Sequence, residues 1–418
     1  MSPDAPLSAL VVTVVHHPED ARIRHREIGA LLDAGLQVTY AAPFAAHGVD
    51  LPDVPGLRPV DLPHAVARSR GEAFRAARRL LAREAAQHDV VLVHDPEIVA
   101  AAAGLGLDNL VWDVHEDTAA AIEAKPWVPE RARGPLARAA RAIERHAERR
   151  HDLILAEYAY ADRFEREHVV VPNTVRVPST AQPPGGSRAV YLGSLTMARG
   201  AATLLQAGRL LTVATRGEVK VEIIGAARDS RTADTLTWGV KCGHVVHHGF
   251  VPSARALPML DGALAGLSLL EDRPNYRHSM PTKVIEYMAH GLPVVTTPLP
   301  LAADLVETAG CGVVVPFDDA EATATALIEL SRDRERREAM GRAGHAYVRE
   351  HYDWNVIGHD FVRHVTDLAQ RRRGKAAGTS ALPHHVDEPA PRRTGSTGSA
   401  GSAGSAGSTA WERRGLAV

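Results

Sequence analysis

Short apolar runs alternate along the chain with segments whose apolar residues recur at helical spacing. In the first half the runs are rich in Val, Ile and Leu and show little polar alternation, and amphipathic segments such as residues 21–34 separate them. These runs are "ALVVTVV", "LQVTYAAP", "DVVLVHDP", "NLVWDVHED" and "DLILAEY". Apolar strands separated by helices are typical of a parallel sheet covered on both faces. Residues 1–178 are therefore predicted to form one doubly wound, Rossmann-like α/β domain.

A second series of the same kind follows a polar, Pro-rich stretch. That stretch, residues 171–187, reads as an interdomain linker. The runs after it are "RAVYLGSL", "VKVEIIGAA", "HVVHHGFV", "LAGLSLLED", "LPVVTTP" and "GCGVVVPF". They predict a second doubly wound domain over residues 188–354, so that two such domains face one cleft.

The C-terminal part changes character twice. Ile357, Phe361, Val365 and Leu368 are spaced four, four and three apart, which predicts a closing helix over residues 355–372 that packs back on the first domain. Residues 373–418 turn to Gly, Ser, Pro and Arg and end in "GSTGSAGSAGSAGST". Such a composition cannot bury a core, so we expect a disordered tail.

Composition and charge exclude several classes of protein. The chain has 418 residues, 45% hydrophobic content and a formal charge of -2, which suits a globular protein and gives no reason to expect nucleic acid as a partner. Two cysteines form neither a disulfide framework nor a metal cluster. The N-terminal apolar run is too short for a membrane span and lacks a basic region before it. We expect a cytoplasmic protein.

The motifs of the second domain point to an anionic ligand in the cleft. A dinucleotide fingerprint is missing, since "GLGLDN" lacks its third Gly and "GSLTMARG" has the wrong spacing. Instead, Arg199 and Gly200 stand at the start of one helix and Lys283 stands in the first turn of another. Helix N-termini with a nearby cation are suited to a diphosphate.

The helix that begins near Pro281 also carries Glu286, three residues after Lys283 and therefore on the same face. In the functional interpretation, Lys283 meets a phosphate and Glu286 accepts hydrogen bonds from the two hydroxyls of a vicinal diol. In the alternative interpretation, the two residues form an ordinary ion pair on a helix surface.

The first domain places further candidates where its strands end. His115 in "DVHED" follows one strand, and His94 and Asp95 in "VHDP" follow the preceding one. Asp20 and Arg22 come soon after the first strand. Ligands of open α/β sheets bind at this edge, so these residues are candidates for the acceptor side of the cleft. N-capping is the alternative for both aspartates, with Asp95 capping the helix that begins at Pro96.

Taken in order along the chain, these motifs resemble the family-four retaining glycosyltransferases of GT-B fold. The second domain contributes "YLGSLTMARG", "VEIIGA", "HHGFVP" and above all "PTKVIEYMAHGLPVVTTP". The first domain adds "VHDPEI", "VWDVHED", "KPWVP" and the long segment after the first strand. The resemblance covers roughly residues 8 to 370 and is closest to a branch that acts in surface-polysaccharide assembly.

The resemblance implies roles for individual residues. Glu286 matches the glutamate that holds the ribose hydroxyls of the donor, and Lys283 and Arg199 match positions near its diphosphate. His115 matches a histidine that contacts the donor sugar near the reacting carbon, and we take it, with its neighbour Glu116, as the catalytic candidates.

Two positions depart from the family pattern. The family's first glutamate, eight positions before Glu286, is replaced by His278, which with Ser279 stays among our donor-binding candidates. The arginine that commonly follows the strand glycine is replaced by Ser194, which leaves the diphosphate with fewer cations.

The function implied is transfer of a sugar from a nucleoside-diphosphate sugar to an acceptor hydroxyl, with retention and without metal or cofactor. The acceptor stays open between a glycan, a lipid-linked sugar and a small molecule. An epimerase of the same fold and a non-catalytic nucleotide-sugar-binding protein remain as alternatives. Residues 64–86 hold six Arg against two Glu and residues 130–150 hold seven against three, so contact with the inner face of a membrane is a further expectation, with solvated helix faces as the alternative.

Overall fold

The computed structural model describes residues 5–66, 69–124 and 128–380, in which two parallel sheets are present. The strands of the first sheet run in the order β3-β2-β1-β4-β5-β6-β7. Their bounds are β1 Ser8–Val12, β2 Gln37–Ala42, β3 Leu57–Asp61, β4 Val90–Val93, β5 Leu110–Val114, β6 Asp152–Leu155 and β7 Val169–Val170.

The second sheet runs in the order β10-β9-β8-β11-β12-β13 and is also parallel throughout. Its bounds are β8 Arg188–Leu192, β9 Lys220–Ile224, β10 Val245–His247, β11 Ala265–Ser268, β12 Val294–Thr296 and β13 Gly312–Val314. The predicted α/β architecture of two doubly wound domains is confirmed.

Helices cover both sheets. In the first half they are a π-helix over Ala21–Ile28 that continues as α1 Gly29–Asp33, then α2 Phe44–His47, α3 Arg70–Glu84, α4 Pro96–Ala102, α5 Thr118–Ala124 and α6 Glu130–Arg150. In the second half they are α7 Ala201–Ala214, α8 Ser230–Lys241, α9 Ser253–Ala256, α10 Pro274–Arg277, α11 Thr282–Ala289, α12 Pro300–Thr308, α13 Ala320–Arg332, α14 Arg334–His351 and α15 Trp354–Ser380.

The apolar strand runs are explained by burial on both faces of each sheet. In β4, Val91 and Val93 pack into one hydrophobic cluster, whereas Val90 and Leu92 pack into the cluster on the opposite face. Because successive side chains of a strand point to opposite faces, a strand covered on both sides needs apolar residues at every position.

The segment 21–34 forms a helix as predicted, but its first eight residues form a π-helix. Arg22, Arg26 and Glu27 on this π-helix are buried. The amphipathic pattern did not predict this burial, because it assigns charged residues to the solvent side. π-Helical turns are rare in proteins, and those that occur often lie at functional sites.

The sequence pattern did not predict β3 or β7. β3, "LRPVD", has only one buried residue, and β7 has only two residues. Both lie at edges of the first sheet, where a strand needs no continuous apolar run.

The last helix, α15, packs on the first domain. Its apolar residues join the cluster that contains Ala9, Val11 and Tyr40, and they are Trp354, Phe361, Val365, Leu368 and Ala369.

The predicted tail over 373–418 begins inside this helix, so its predicted start is corrected. Arg373 is ordered because its guanidinium donates to the Asp89 carboxylate and to the carbonyls of Ala5 and Pro6. Residues 381–418 lie outside the described residues.

The strand order fixes where a ligand can bind. Chain connections leave in opposite directions from β1 and β4 in the first sheet and from β8 and β11 in the second. Ligands of such sheets bind beyond the carboxyl ends of the strands at these switch points. In the part of the chain that the structure describes, no helix combines the length and apolar character that a membrane crossing requires.

Candidate functional site

Five polar side chains gather at the carboxyl ends of β4 and β5, and we call them the first-domain cluster. Its members are Arg22, Glu27, His94, Asp113 and His115. Arg22 and Glu27 come from the π-helix, His94 follows β4, Asp113 lies in β5 and His115 follows it. The sequence expectation that Arg22, His94 and His115 lie together at one sheet edge agrees with this geometry.

Arg22 and Asp113 form a buried bidentate ion pair at the base of the cluster. The Nε and Nη2 atoms of Arg22 donate to the two carboxylate oxygens of Asp113, each at 2.8 Å. Burial alone would raise the pKa of Asp113, but Arg22 and His115 hold it well below its usual range. Nη1 of Arg22 donates to the Val171 carbonyl at 2.8 Å, so this guanidinium is engaged by the fold. Arg22 was a candidate for the acceptor side of the cleft, and its buried guanidinium is held by Asp113 and the Val171 carbonyl.

His115 is oriented by Asp113. Its Nε2 atom lies 2.5 Å from Oδ2 of Asp113 and 3.1 Å from Nδ1 of His94. Burial lowers the pKa of His115 to about 4, although the Asp113 carboxylate acts in the opposite direction. The imidazole is therefore neutral near pH 7. Because an ionised carboxylate can only accept, we assign the proton to Nε2, which leaves the lone pair on Nδ1.

Glu27 lies behind the histidines and was missed by the sequence analysis. Its Oε1 atom is 2.9 Å from Nε of Arg22, and its Oε2 atom is 3.7 Å from Nε2 of His94. Burial and the neighbouring Asp113 raise the pKa of Glu27 well above its ordinary value. The cluster thus holds one ionised and one readily protonated carboxyl group side by side.

The loop after β1 is fixed by Asp95. The Asp95 carboxylate accepts from the backbone N–H of Val14 at 2.6 Å and from Oγ1 of Thr13 at 3.0 Å, and it lies 3.3 Å from Nε2 of His16. The His16 ring meets the His115 ring edge-on, with centroids 5.0 Å apart. Asp95 makes no capping bond to α4, so N-capping does not explain it.

Asp20 does cap a helix. Its carboxylate accepts from the N–H groups of Arg22 and Ile23 at the start of the π-helix. Burial would raise the pKa of Asp20, but the nearby His16 and His115 and these two backbone bonds lower it. Asp20 therefore combines the capping role with a position close to His115.

In the second domain, Arg199 and Gly200 form the turn that starts α7. Arg199 donates from Nη1 to the Ser194 carbonyl at 3.1 Å. Gly200 has φ 86°, and a Cβ atom there would lie 2.2 Å from the Leu269 carbonyl oxygen. Only glycine fits both requirements. This explains why Arg199 is brought so close to the carboxyl end of β8.

Lys283 lies in the first turn of α11, whose N-terminus has no side-chain cap. Its Nζ atom is shielded from solvent, has no hydrogen-bond partner among the described residues, and lies 3.7 Å from the centre of the Tyr191 ring. Burial and the nearby Arg199 push the pKa of Lys283 well below its usual range. An unpaired ammonium of this kind is costly, and an anionic ligand would remove that cost.

Glu286 is influenced by charged groups of both domains, Arg26 in the first and Lys283 in the second. Burial raises its pKa, while Arg26 of the first domain is the strongest opposing influence, ahead of Lys283. Arg26 is itself buried and donates to the Thr174 carbonyl. Lys283 and Glu286 make no ion pair within 4 Å in the described part of the chain, which disfavours the simple helix-surface pair.

Three candidates have few contacts. Glu116 and His278 are exposed and Ser279 is half-buried, and none of the three has a hydrogen bond or ion pair with another described residue. Glu116 is adjacent to His115 in sequence, but it makes no hydrogen bond or ion pair with it.

The residues that sequence reasoning missed share one property: they are charged but buried. They are Arg26, Glu27, Asp113 and Glu157. Asp113 carried a usable signal, because it interrupts the apolar strand "LVWDV". Arg26 and Glu27 lie in a segment that reads as an amphipathic helix, and Glu157 lies at the end of the predicted strand "DLILAEY".

The chain is similar to known glycosyltransferases in sequence. Residues 186–333 match the family described as "Glycosyl transferases group 1". The chain is 27% identical over 371 residues to a phosphatidyl-myo-inositol mannosyltransferase of Mycolicibacterium smegmatis, which covers 80% of this chain and 86% of that protein.

Solved structures with a similar fold are glycosyltransferases. One is a sucrose-phosphate synthase from Thermosynechococcus elongatus, with a TM-score of 0.66, 16% identity, and coverage of 90% of this chain and 100% of that one. Another is WaaG, a glycosyltransferase involved in lipopolysaccharide biosynthesis, with a TM-score of 0.64, 14% identity, and coverage of 86% and 100%. A third, Anabaena HepE in complex with UDP, has a TM-score of 0.62, 13% identity, and coverage of 87% and 100%. The predicted resemblance is confirmed.

Proposed function

Because the chain is a GT-B glycosyltransferase whose residues 186–333 match glycosyl transferases group 1, we propose that it is a retaining, metal-independent enzyme of cell-surface glycoconjugate assembly. The donor is a nucleoside-diphosphate sugar bound mainly by the second domain. The acceptor hydroxyl approaches from the first domain, beside His115.

The observation that carries this proposal is the buried Nζ atom of Lys283, which has no hydrogen-bond partner among the described residues and lies at the uncapped N-terminus of α11. Negative charge builds on the diphosphate as the bond to the sugar breaks. A fixed cation and free backbone N–H groups at that point stabilise the transition state more than the ground state. Glu286, one helical turn further on, then meets the ribose hydroxyls.

His115 acts as a neutral group in this proposal. Its Nε2 donates to Asp113, so Nδ1 can accept a hydrogen bond from a sugar hydroxyl near the reacting carbon. The acceptor oxygen bonds to that carbon on the face from which the diphosphate departs. The acceptor proton passes to the departing phosphate oxygen. Because the new bond forms on the face that the diphosphate leaves, the anomeric configuration is retained.

The first-domain cluster does not call for a metal. Ligand atoms of His94, Asp113 and His115 lie within 4.8 Å of one another, a grouping that could hold an ion. However, both carboxylate oxygens of Asp113 already accept from Arg22, whose positive charge opposes a second cation there. This supports metal-independent transfer.

The acceptor side carries a basic groove. It has a volume of about 530 Å³ between α5 and α6, and α6 contributes Arg138, Arg141 and Arg145 to its lining. Phe74 and Leu136 are exposed apolar residues on α3 and α6. Basic helices with exposed apolar side chains suit an anionic membrane surface. Together with the named activity of the mycobacterial relative, they support a lipid-linked acceptor and peripheral contact with the inner face of the membrane.

The proposal is tested first by a thermal-shift screen with UDP, GDP, ADP and TDP, repeated with their sugars. The donor found in this way is then offered to anionic glycolipid acceptors in vesicles, and NMR of the product gives its anomeric configuration. A product with the donor's configuration supports the proposal, and an inverted product contradicts it. A new sugar nucleotide formed without acceptor indicates an epimerase, and binding without turnover on any acceptor indicates a binding protein.

A further inference from the structure

Two neighbouring loops of the second domain are joined beyond the ends of their strands. The N–H of Gly193 donates to the Ile224 carbonyl at 2.9 Å, and the N–H of Leu195 donates to the Ala226 carbonyl at 2.9 Å. The N–H of Arg228 in turn donates to the Leu195 carbonyl at 3.1 Å. The pairing of β8 with β9 therefore continues past the sheet, and it fixes the backbone of Arg228 beside the turn at Gly193 and Ser194.

The approach of the two loops requires a glycine. Gly225 has φ 154°, and a Cβ atom at this position would lie 2.0 Å from the Gly193 carbonyl oxygen. A side chain here would push the loops apart. The backbone position of Arg228 is thus set by the close packing of the two loops.

Ser194 holds two guanidinium groups at once. Its hydroxyl oxygen accepts from Nε of Arg228 at 2.8 Å, and its carbonyl oxygen accepts from Nη1 of Arg199 at 3.1 Å. Lys283 approaches the same turn, and its Nζ atom lies 3.9 Å from the position that a Cβ atom would occupy on Gly193. Three cations from three segments of the chain therefore surround Gly193 and Ser194.

Within the described residues, no carboxylate lies within 4 Å of any of these three cations, and Nζ of Lys283 has no hydrogen-bond partner at all. Nearby arginines are treated differently by the fold, since Arg188 pairs with Glu222 and Arg273 pairs with Glu271. Converging like charges repel one another, so the turn favours an anionic occupant.

We propose that Arg228 is a third cation of the diphosphate site and that Ser194 is the residue that positions it. The inference rests on the proposed donor site and adds to it the residue that compensates for the serine at position 194. Nε of Arg228 is used by Ser194, while the outer edge of the exposed guanidinium is free to donate to phosphate oxygens. Because β9 lies on the far side of β8 from β11, Arg228 and Lys283 flank the diphosphate from opposite sides.

The test measures binding of the preferred nucleoside diphosphate and of its nucleoside by calorimetry for three variants of the full chain. Arg228→Ala removes the proposed contact. Ser194→Ala keeps every charge but removes the hydroxyl that holds Arg228. Arg231→Ala is the matched control, because Arg231 is an exposed arginine three residues further on in α8 and its loss changes the net charge equally.

We expect Arg228→Ala to weaken binding of the diphosphate about tenfold and to leave the nucleoside unchanged, as for the loss of one charge-assisted hydrogen bond. Ser194→Ala is expected to weaken the diphosphate about threefold, since the guanidinium keeps its charge but loses its orientation. Arg231→Ala is expected to stay within twofold of wild type for both ligands.

The inference is overturned if Arg228→Ala binds the diphosphate as tightly as Arg231→Ala does, or if it weakens nucleoside and diphosphate equally. Lys283→Met separates this failure from failure of the donor site. If Lys283→Met still weakens the diphosphate selectively, only the role of Arg228 is wrong. If the wild type itself binds nucleoside and diphosphate equally well, the proposed donor site is wrong too.

Discussion

His115 and Asp113 are two residues apart in sequence, and Nε2 of the imidazole lies 2.5 Å from Oδ2 of the carboxylate. Asp113 points into the buried cluster from β5, and the chain turns at its end so that His115 meets the same carboxylate. The short spacing couples the candidate catalytic group directly to the Arg22 ion pair, which lies fully inside the first domain.

His115→Ala is expected to lower turnover by about 100-fold or more while changing donor affinity by less than about threefold. A group that hydrogen-bonds the sugar near the reacting carbon acts mainly in the transition state, where losing one hydrogen bond of this kind costs about 10²- to 10³-fold in turnover. Steady-state kinetics with calorimetry of donor binding measures both quantities.

Glu116→Gln is the companion variant for this measurement, because Glu116 is also a catalytic candidate but is exposed. A loss of turnover in Glu116→Gln with full activity in His115→Ala would reverse the assignment. Equal losses of turnover and donor affinity in His115→Ala would make His115 a binding residue.

Glu157 predicts a pH-dependent stability. This carboxyl accepts from Nδ2 of Asn173 at 3.4 Å, and burial raises its pKa from 4.5 to about 7 despite that bond, a backbone bond from Met280 and the charge of Arg22. A folded-state pKa above the unfolded value favours the folded state at low pH, and this stability is lost as pH rises from about 4.5 through 7. Over that window, Glu157 should lower the free energy of unfolding by about 3 kcal/mol.

Chemical denaturation at pH 5 and pH 8 measures this effect in wild type and in Glu157→Gln. The substitution should remove the corresponding part of the pH dependence, whereas Glu167→Gln, at an exposed position in the same segment, should not. Parallel pH profiles for wild type and Glu157→Gln would show that the carboxyl is ionised in the folded protein.

Arg373 lies in the C-terminal part of α15. Its side chain donates to Asp89 and to the carbonyls of Ala5 and Pro6, so it joins the last helix to the first strand region. Truncation after residue 374 should leave the melting temperature unchanged. Arg373→Ala should cost about 1.5 to 3 kcal/mol, the usual size for hydrogen bonds to a charged group.

Arg371→Ala, at an exposed position on the same helix, is the control for Arg373→Ala. Thermal and urea unfolding of the wild type, the truncated chain and the two variants gives the comparison. A large loss of stability in the truncated chain would mean that residues beyond 374 contribute to the folded core.

Removal of divalent metal should not affect transfer. The carboxylate of the one candidate grouping of metal ligands among the described residues is occupied by Arg22. Dialysis against EDTA is therefore expected to leave turnover within about twofold of the untreated enzyme, with no gain on adding Mg²⁺, Mn²⁺ or Zn²⁺. Loss of activity on chelation that one of these ions restores would place a metal in the mechanism.

The sequence predicts the sheets better than the site. Runs such as "DVVLVHDP" report burial on both faces directly, so the central strands were found. The edge strand β3 was not, because half of it faces solvent. At the site, helix-end signals correctly placed Lys283 in the first turn of a helix. The hydrophobic pattern instead predicts that a charged residue such as Glu27 lies on the surface, although it is buried.

Glu27 and Arg26 are buried on the π-helix, where Glu27 lies beside Arg22 and Arg26 influences Glu286 of the second domain. The proposed role of Arg228 also depends on tertiary structure, because its Nε atom donates to the hydroxyl of Ser194, 34 residues earlier in the chain. Contacts of this kind are set by tertiary structure and leave no local pattern in the sequence.

The central claim is that α11 binds the donor nucleotide, with Lys283 at the diphosphate and Glu286 at the ribose. Calorimetry on wild type, Lys283→Met and Glu286→Gln, with nucleoside, nucleoside diphosphate and 2'-deoxynucleoside diphosphate, tests it directly. Lys283→Met should weaken the diphosphates by about 1.5 to 3 kcal/mol and spare the nucleoside. Glu286→Gln should remove most of the preference for ribose over 2'-deoxyribose and keep the response to phosphate. Equal losses for all three ligands, or none, in both variants would contradict the claim.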